Sequence, residues 1–379
     1  MSNWNISDNA AELLQDAHVW DMTIPLTART GEETLDITLA RAAAHGYTLA
    51  SVTISSDWEG LAGAMKSLSR DRAYFLNQPE KYYLVESFDD VEAAKQEGKL
   101  AILFHFQGTH PLEGDLNLVE TYYKLGVRHM LIAYNMKNVM GDGCMERTND
   151  GLSRLGVALI EEMNRVGMIV DATHTGYRTT MDMFEVSKDP VIFSHSNAAA
   201  IWDVPRNLKD DQIKACVRTG GVICINSLDV FLGETGTGDV IPMMVQHIDY
   251  VSELVGAEHV GIGTDYEAYN YGRGEFKQRP AKPADPHLSF KSPKYGGRFN
   301  PMSVHQEAYL KASGGKSIGP DWADCYYMDP QLMPELTETL LKHGYNETEV
   351  RGILGENICL LYTSPSPRDA TLSRMPSSA

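Results

Sequence analysis

Short apolar runs alternate with longer amphipathic ones along most of this chain. Strand-like runs fall at 18–24, 49–54, 82–85, 101–106, 129–133, 168–172, 191–193, 221–225 and 260–262. Segments with helical spacing lie between most of them. Those at 119–125 and 156–166 stop at Gly126 and Gly167, a usual way for a helix to end. Strand–helix alternation sustained over about 250 residues predicts a parallel α/β fold, and a closed barrel or an open doubly wound sheet satisfies it equally. Residues 270–330 break the rhythm with Pro, Gly, Tyr and charge. A long irregular segment inside a domain is either functional or passive. Its place after a late strand suggests a lid or an oligomer contact, with a passive insertion as the alternative.

Composition narrows this picture little. The 379 residues are 43% hydrophobic and 22% charged, which suits an ordinary soluble globular chain. A net charge of −18 repels phosphate backbones, so nucleic acid is not expected as a partner. Residues 1–16 show no basic segment followed by an apolar run, and no stretch reaches the roughly 18 apolar residues of a membrane span. The five cysteines form no CxxC pair, so neither a disulfide framework nor a cysteine zinc site is indicated. A reducing cytoplasm is the expected location. Residues 359–379, CLLYTSPSPRDATLSRMPSSA, resemble the translation of a sequencing-library adapter. The expected domain is therefore a single one over 1–358, with the irregular insertion at 270–330.

Candidate chemistry sits at strand ends. Asp171-Ala172-Thr173-His174 closes one apolar run and Phe193-Ser194-His195 the next. In a barrel such ends converge on the C-terminal face, and two neighbouring imidazoles suit a divalent metal, especially zinc. Singly, each histidine would more often be a hydrogen-bonded core or loop residue. Val260-Gly-Ile-Gly-Thr-Asp265 adds a carboxylate at a third strand end. It suits a proton acceptor, or equally a helix or turn cap. Arg206 has the planar fork for a carboxylate, or for a surface salt bridge.

Together the segments IVDATHTG, PVIFSHSNA, VPRNLKDD and VGIGTDY, in this order and spacing, resemble the membrane dipeptidase (renal dipeptidase) family of zinc peptidases. AILFHFQG, YYKLGVRHMLIAYNMKN, GDGCMERTNDGLSRLG and NETEVRGILGEN extend the likeness over about residues 15–358. The resemblance implies a TIM-type (β/α)8 barrel, often dimeric, that hydrolyses dipeptides with two bridged zinc ions. It implies that His174 and His195 hold the second metal, that Asp265 handles a proton, and that Arg206 binds the substrate carboxylate.

The chain departs from that pattern on its first strand. The family carries an HxD pair there; this chain reads His18-Val19-Trp20-Asp21, which puts the two side chains on opposite faces unless the strand bulges. The better alignment leaves Thr23 and Pro25 near the ligand positions, with Asp21 as a speculative ligand. The family's bridging glutamate falls at Gln107, a neutral amide. Two divalent ions about 3.5 Å apart repel by roughly 20 kcal/mol at an effective dielectric of about 20, so losing the bridging charge predicts one metal rather than two. His105, two residues earlier, shares the inward face and becomes a replacement ligand or a plug. Tyr134 falls where the family carries a histidine near the substrate carbonyl, with Asn135 and Asn138 beside it. The expected function is metal-dependent hydrolysis of a dipeptide or related small amide. The alternatives are a small-molecule binder or a different one-metal enzyme, and a mainly structural protein.

Overall fold

The computed structural model describes residues 4–25, 32–233, 239–266, 290–291, 298–299 and 326–363. Nine parallel strands build the centre: β1 (Trp20–Ile24), β2 (Leu49–Ser56), β3 (Tyr82–Leu84), β4 (Leu100–Gln107), β5 (Val127–Leu131), β6 (Ile169–Asp171), β7 (Val191–Ile192), β8 (Ile223–Ile225) and β9 (Val260–Ile262). The order β1-β2-β4-β5-β6-β7 is continuous. A bridge from Phe193 to Ile223 carries it to β8, which pairs with β9. The Asp265 amide then donates to the Thr23 carbonyl at 3.0 Å and closes the ring on β1. Eight strands thus form a barrel among the described residues. β3 is the ninth; it pairs with the lower half of β4, and β5 takes the upper half.

Alternation along each strand separates two environments. Val52, Ile54, Ile102, Phe104, Phe106, Val170 and Ile225 pack outward beneath helix residues such as Leu68, Val119, Leu159 and Ile213. Trp20, Met22, Leu49, Leu103, Ile192 and Cys224 form a separate cluster that fills the barrel floor with Val91 and Ile358. Above that floor the inward positions turn polar, which places the chemistry at the strands' C-terminal ends. Local signals set the helices as expected. Ser153 caps the helix Arg154–Val166 by accepting from the Gly156 amide at 3.0 Å, and Gly167 ends it at φ 83°.

Several boundaries differ from the sequence expectation. The strand expected at 129–133 lies two residues earlier, because β5 takes its register from β4 and β6. The first strand begins at Trp20; His18 precedes it and pairs with Glu92 at 3.0 Å, away from the barrel mouth. The helix Asn357–Thr363 continues five residues past Ile358, with Cys359 buried and Leu361 packed beside it. Residues 364–379 lie outside the described residues, as does most of 270–330. Within that insertion Phe290–Lys291 pairs antiparallel with Arg298–Phe299. The expected lid or oligomer contact therefore falls outside what is described. Cys144, Cys216, Cys224 and Cys359 are free thiols.

Candidate metal centre

His174 follows β6 and His195 follows β7, so adjacent strand ends bring them together. Their Nε2 atoms stand 2.9 Å apart. The other ring nitrogen of each is committed. His174 Nδ1 lies 2.6 Å from the Asn135 Oδ1, an acceptor only, so Nδ1 carries the proton. His195 Nδ1 lies 2.9 Å from the Thr23 hydroxyl and 2.8 Å from that of Ser194. Thr23 gives its single proton to the Met22 carbonyl at 2.6 Å, so toward His195 it accepts. The two Nε2 atoms therefore face one another across the mouth, away from these partners. A cation held by both nitrogens would take the place of a proton shared between them. Burial, and then the Arg206 charge, hold the His195 imidazole well below the ordinary histidine range, so it stays neutral and able to donate to a metal. Partners that fix the tautomer and the ring angle are what a metal-binding histidine requires.

The backbone is strained to achieve this. His174 sits at φ 67°, Asn135 at φ 53° and Asp265 at φ 57°. Non-glycine residues rarely occupy that region, and such strain gathers at functional sites. Two glycines admit the close packing. A Cβ at Gly263 would lie 1.8 Å from the Ser194 carbonyl oxygen, and one at Gly143 would lie 2.1 Å from the Asn135 carbonyl carbon.

Among the described residues no group of three or more His, Cys, Asp or Glu converges as a metal cage. The donors present fit one ion held by two imidazoles, not a bridged pair. His105 explains why. Its Nδ1 meets the Ser51 hydroxyl at 2.8 Å and its Nε2 the Thr53 hydroxyl at 2.8 Å. Ser51 also meets His129 Nε2 at 2.9 Å, and His129 Nδ1 reaches Asp171 Oδ2 at 3.1 Å. Gln107 donates its amide to Thr53 at 3.2 Å. A continuous hydrogen-bonded chain thus runs from Gln107 through Thr53, His105, Ser51 and His129 to Asp171. Every ring nitrogen of His105 and His129 already has a protein partner. His105 is thus the plug and not the ligand, and Gln107 serves the plug. Asp171 ends the chain as a carboxylate. Burial pushes its pKa up, but hydrogen bonds from His129 and Ser194 outweigh this and leave it below the usual range.

Asp21 also lies apart. Its Oδ1 accepts from the Thr264 amide at 2.8 Å and the Thr23 amide at 3.1 Å, and its Oδ2 accepts from the Thr264 hydroxyl. Burial raises its carboxyl to about 6. It ties β1 to the end of β9 because the strand register slips between Asp21 and Ile24, leaving Thr23 as the residue that reaches His195. Asn138, expected to touch substrate, is consumed by its loop. Its amide nitrogen serves Asp57, Thr109 and the Ile132 carbonyl, and its oxygen accepts from the Met140 and Gly141 amides.

The remaining expected residues gather at the mouth. Tyr134 stacks on the His174 ring with centroids 4.1 Å apart. Asp265, anchored to Thr23 through its amide, accepts from the Asn226 side chain at 3.2 Å. Arg206 is 3% exposed, donates to the His195 carbonyl at 3.2 Å, and lies over the Phe231 ring. Its Nε has no partner, and among the described residues no carboxylate lies within ion-pair distance of it. A buried cation without an anion is costly unless a ligand supplies one. Arg206 and His174 line the same cavity of about 190 Å³. Sequence reasoning missed Ser194 and the His129–Asp171 pair, and placed Asn135 beside Tyr134 without its role toward His174. The signal available was the alternation of Ser51, Thr53 and Ser55 with Ala50, Val52 and Ile54, which marks a polar interior face.

These features define a (β/α)8 barrel with a pair of facing histidines at its C-terminal mouth. The model of the membrane dipeptidase family (peptidase family M19) matches residues 30–279, and the chain belongs to that family. An uncharacterized dipeptidase of Schizosaccharomyces pombe is 30% identical over 216 residues, covering 56% of this chain and 53% of that protein. A dipeptidase of Clonostachys rogersoniana is 29% identical over 218 residues, covering 56% and 55%. The chain thus spans about half the length of the curated relatives it matches. The crystal structure of an amidohydrolase from Pseudomonas aeruginosa superposes with a TM-score of 0.74 at 30% identity, covering 93% of this chain and 98% of that one. A metallo peptidase from Rhodobacter sphaeroides, solved with a phosphinate mimic of the dipeptide L-Ala-D-Ala, shares the fold with a TM-score of 0.67 at 18% identity, covering 91% and 98%.

Proposed function

We propose that this protein hydrolyses a dipeptide or a related small amide, using one divalent metal held by His174 and His195. The observation that carries the proposal is the pair of imidazole Nε2 atoms facing each other at 2.9 Å, beside a buried Arg206 whose Nε has no partner. A divalent ion there, zinc by the nitrogen character of its donors, supplies Lewis-acid polarisation of the scissile carbonyl and of water. Arg206 binds the substrate's terminal carboxylate through its free donor edge. Tyr134, set on the His174 ring, donates its hydroxyl to the developing oxyanion. Asp265 takes the proton of the attacking water and returns it to the leaving amine as the C–N bond breaks. Asn226 and the Thr23 carbonyl hold Asp265 for both transfers.

The test is elemental analysis of protein purified without chelator, joined to turnover of a panel of L,L and L,D dipeptides. About one metal per chain is expected, with hydrolysis lost on chelation and restored by zinc. Fully metal-loaded protein that cleaves no member of the panel would overturn the reading.

A further inference from the structure

The cavity beside His174 holds a second cation that the reaction above does not use. Lys209 lines it together with Arg206, three residues earlier on the same loop. The Lys209 backbone is fixed at the start of the helix Asp210–Arg218, where its carbonyl accepts from the Gln212 and Ile213 amides at 3.0 and 3.1 Å. Its ammonium lies 4.9 Å from the centre of the Tyr177 ring, which lines the same cavity. Tyr177 is pinned in turn, its hydroxyl donating to Asp211 at 2.6 Å. Asp211 is therefore engaged, and Asp210 accepts from the Tyr250 hydroxyl at 2.9 Å. Among the described residues no carboxylate lies within ion-pair distance of Lys209. Asp203 is the acidic residue among the cavity's lining, and it is exposed. Two unpaired cations against one exposed carboxylate stand out in a chain of net charge −18.

We propose that Arg206 and Lys209 form a two-cation subsite for a substrate whose C-terminal residue carries a second carboxylate, that is, an acidic residue. Arg206 takes the main-chain carboxylate and Lys209 the side-chain one. The proposal rests on the amide-hydrolase reading above and specifies its substrate class. Tyr177 presents the lysine by a cation–π contact and keeps its ammonium at the cavity.

The experiment compares Ala-Glu with Ala-Gln, which differ by charge and not by size, on the metal-loaded full chain and on Lys209→Met. In parallel, binding of free glutamate and glutamine is measured by calorimetry. An exposed cation supplies about a fivefold preference. The wild type is expected to favour Ala-Glu in kcat/KM and glutamate in affinity by about that factor, and Lys209→Met to bring both ratios to about one. Hydrolysis of both dipeptides with no charge preference overturns the subsite and leaves the hydrolase reading standing. A lysine-dependent preference for glutamate in binding, with no hydrolysis of either dipeptide, upholds the subsite and overturns the hydrolase reading. Neither preference nor hydrolysis overturns both.

Discussion

Two pairs of histidines occupy one barrel mouth and do opposite things. His174 and His195 keep one nitrogen each in a fixed hydrogen bond and turn the other toward a shared point. His105 and His129 stack with centroids 4.4 Å apart, and hydroxyls or a carboxylate consume all four of their nitrogens. The same side chain is, in our proposal, a metal ligand in one pair and a core polar group in the other. The difference lies in the partners. Asn135, Thr23 and Ser194 occupy the near nitrogens and leave the far ones facing each other, whereas Ser51, Thr53 and Asp171 meet both nitrogens of each packed ring. Metal competence depends on which ring nitrogens the protein already occupies, and counting histidines does not reveal it.

The largest test of that contrast removes one member of each pair. His195→Ala leaves a single imidazole and is expected to abolish metal retention, read as metal per chain after dialysis. His105→Asn is expected to keep the metal while lowering thermal stability, since it breaks a buried relay. Equal metal loss in both variants would erase the distinction drawn between the pairs.

Acid should probe the packed histidines next. Burial, and then the neighbouring His129 and His195 rings, hold His105 well below the ordinary range, and burial holds His247 at about 4. His247 accepts from the Ala198 amide at 3.1 Å and donates to the Leu232 carbonyl at 3.0 Å, so its neutral form is built into the loop that leads to Arg206. The sign follows from the direction of these shifts. The unfolded chain takes up protons near pH 6.5 and the folded chain does not, so stability is full above about 6.5 and falls as pH drops toward the folded values. His247 alone loses about 3 kcal/mol between pH 6.5 and 4. Urea midpoints measured from pH 8 to 4.5 check this; a flat profile through pH 6 would mean that these rings already carry protons when folded.

Asp265→Asn separates chemistry from metal retention at the open pair. It should cost about a hundredfold in kcat, the scale for losing an acid–base group, with metal content unchanged. Full activity in this variant would remove Asp265 from the proton transfer.

Much of this was legible in the sequence. The strand–helix rhythm and the position of His174 and His195 at successive strand ends are local properties, and local pattern carries them. The roles of Asn138 and Asp21 were not legible. Asn138 looked free because the groups it serves, Asp57 and Thr109, lie 81 and 29 residues away in the chain. Asp21 looked like a ligand because a register slip, which no pattern announces, gives its inward place to Thr23. His105 was readable as inward-facing, but its partners come from β2, so plug and ligand could not be told apart without the barrel.

Gln107→Glu offers the finest discrimination between the pairs. In a barrel prepared for two metals, this change would restore a bridging charge and raise metal uptake. Here Gln107 is a donor, giving its amide to Thr53. A carboxylate has no proton to give. The Thr53 hydroxyl would turn toward it, His105 Nε2 would lose its donor, and the relay to His129 would carry one buried group unsatisfied. The expected result is about one metal per chain, as in the wild type, and a loss of about 1–3 kcal/mol of stability. Adding Thr23→His is not expected to rescue it, since that change also takes from His195 one of its two hydroxyl partners. Two metals per chain in Gln107→Glu, with stability unimpaired, would show that the closed histidine pair can open, and that the two halves of this mouth differ in occupancy and not in design.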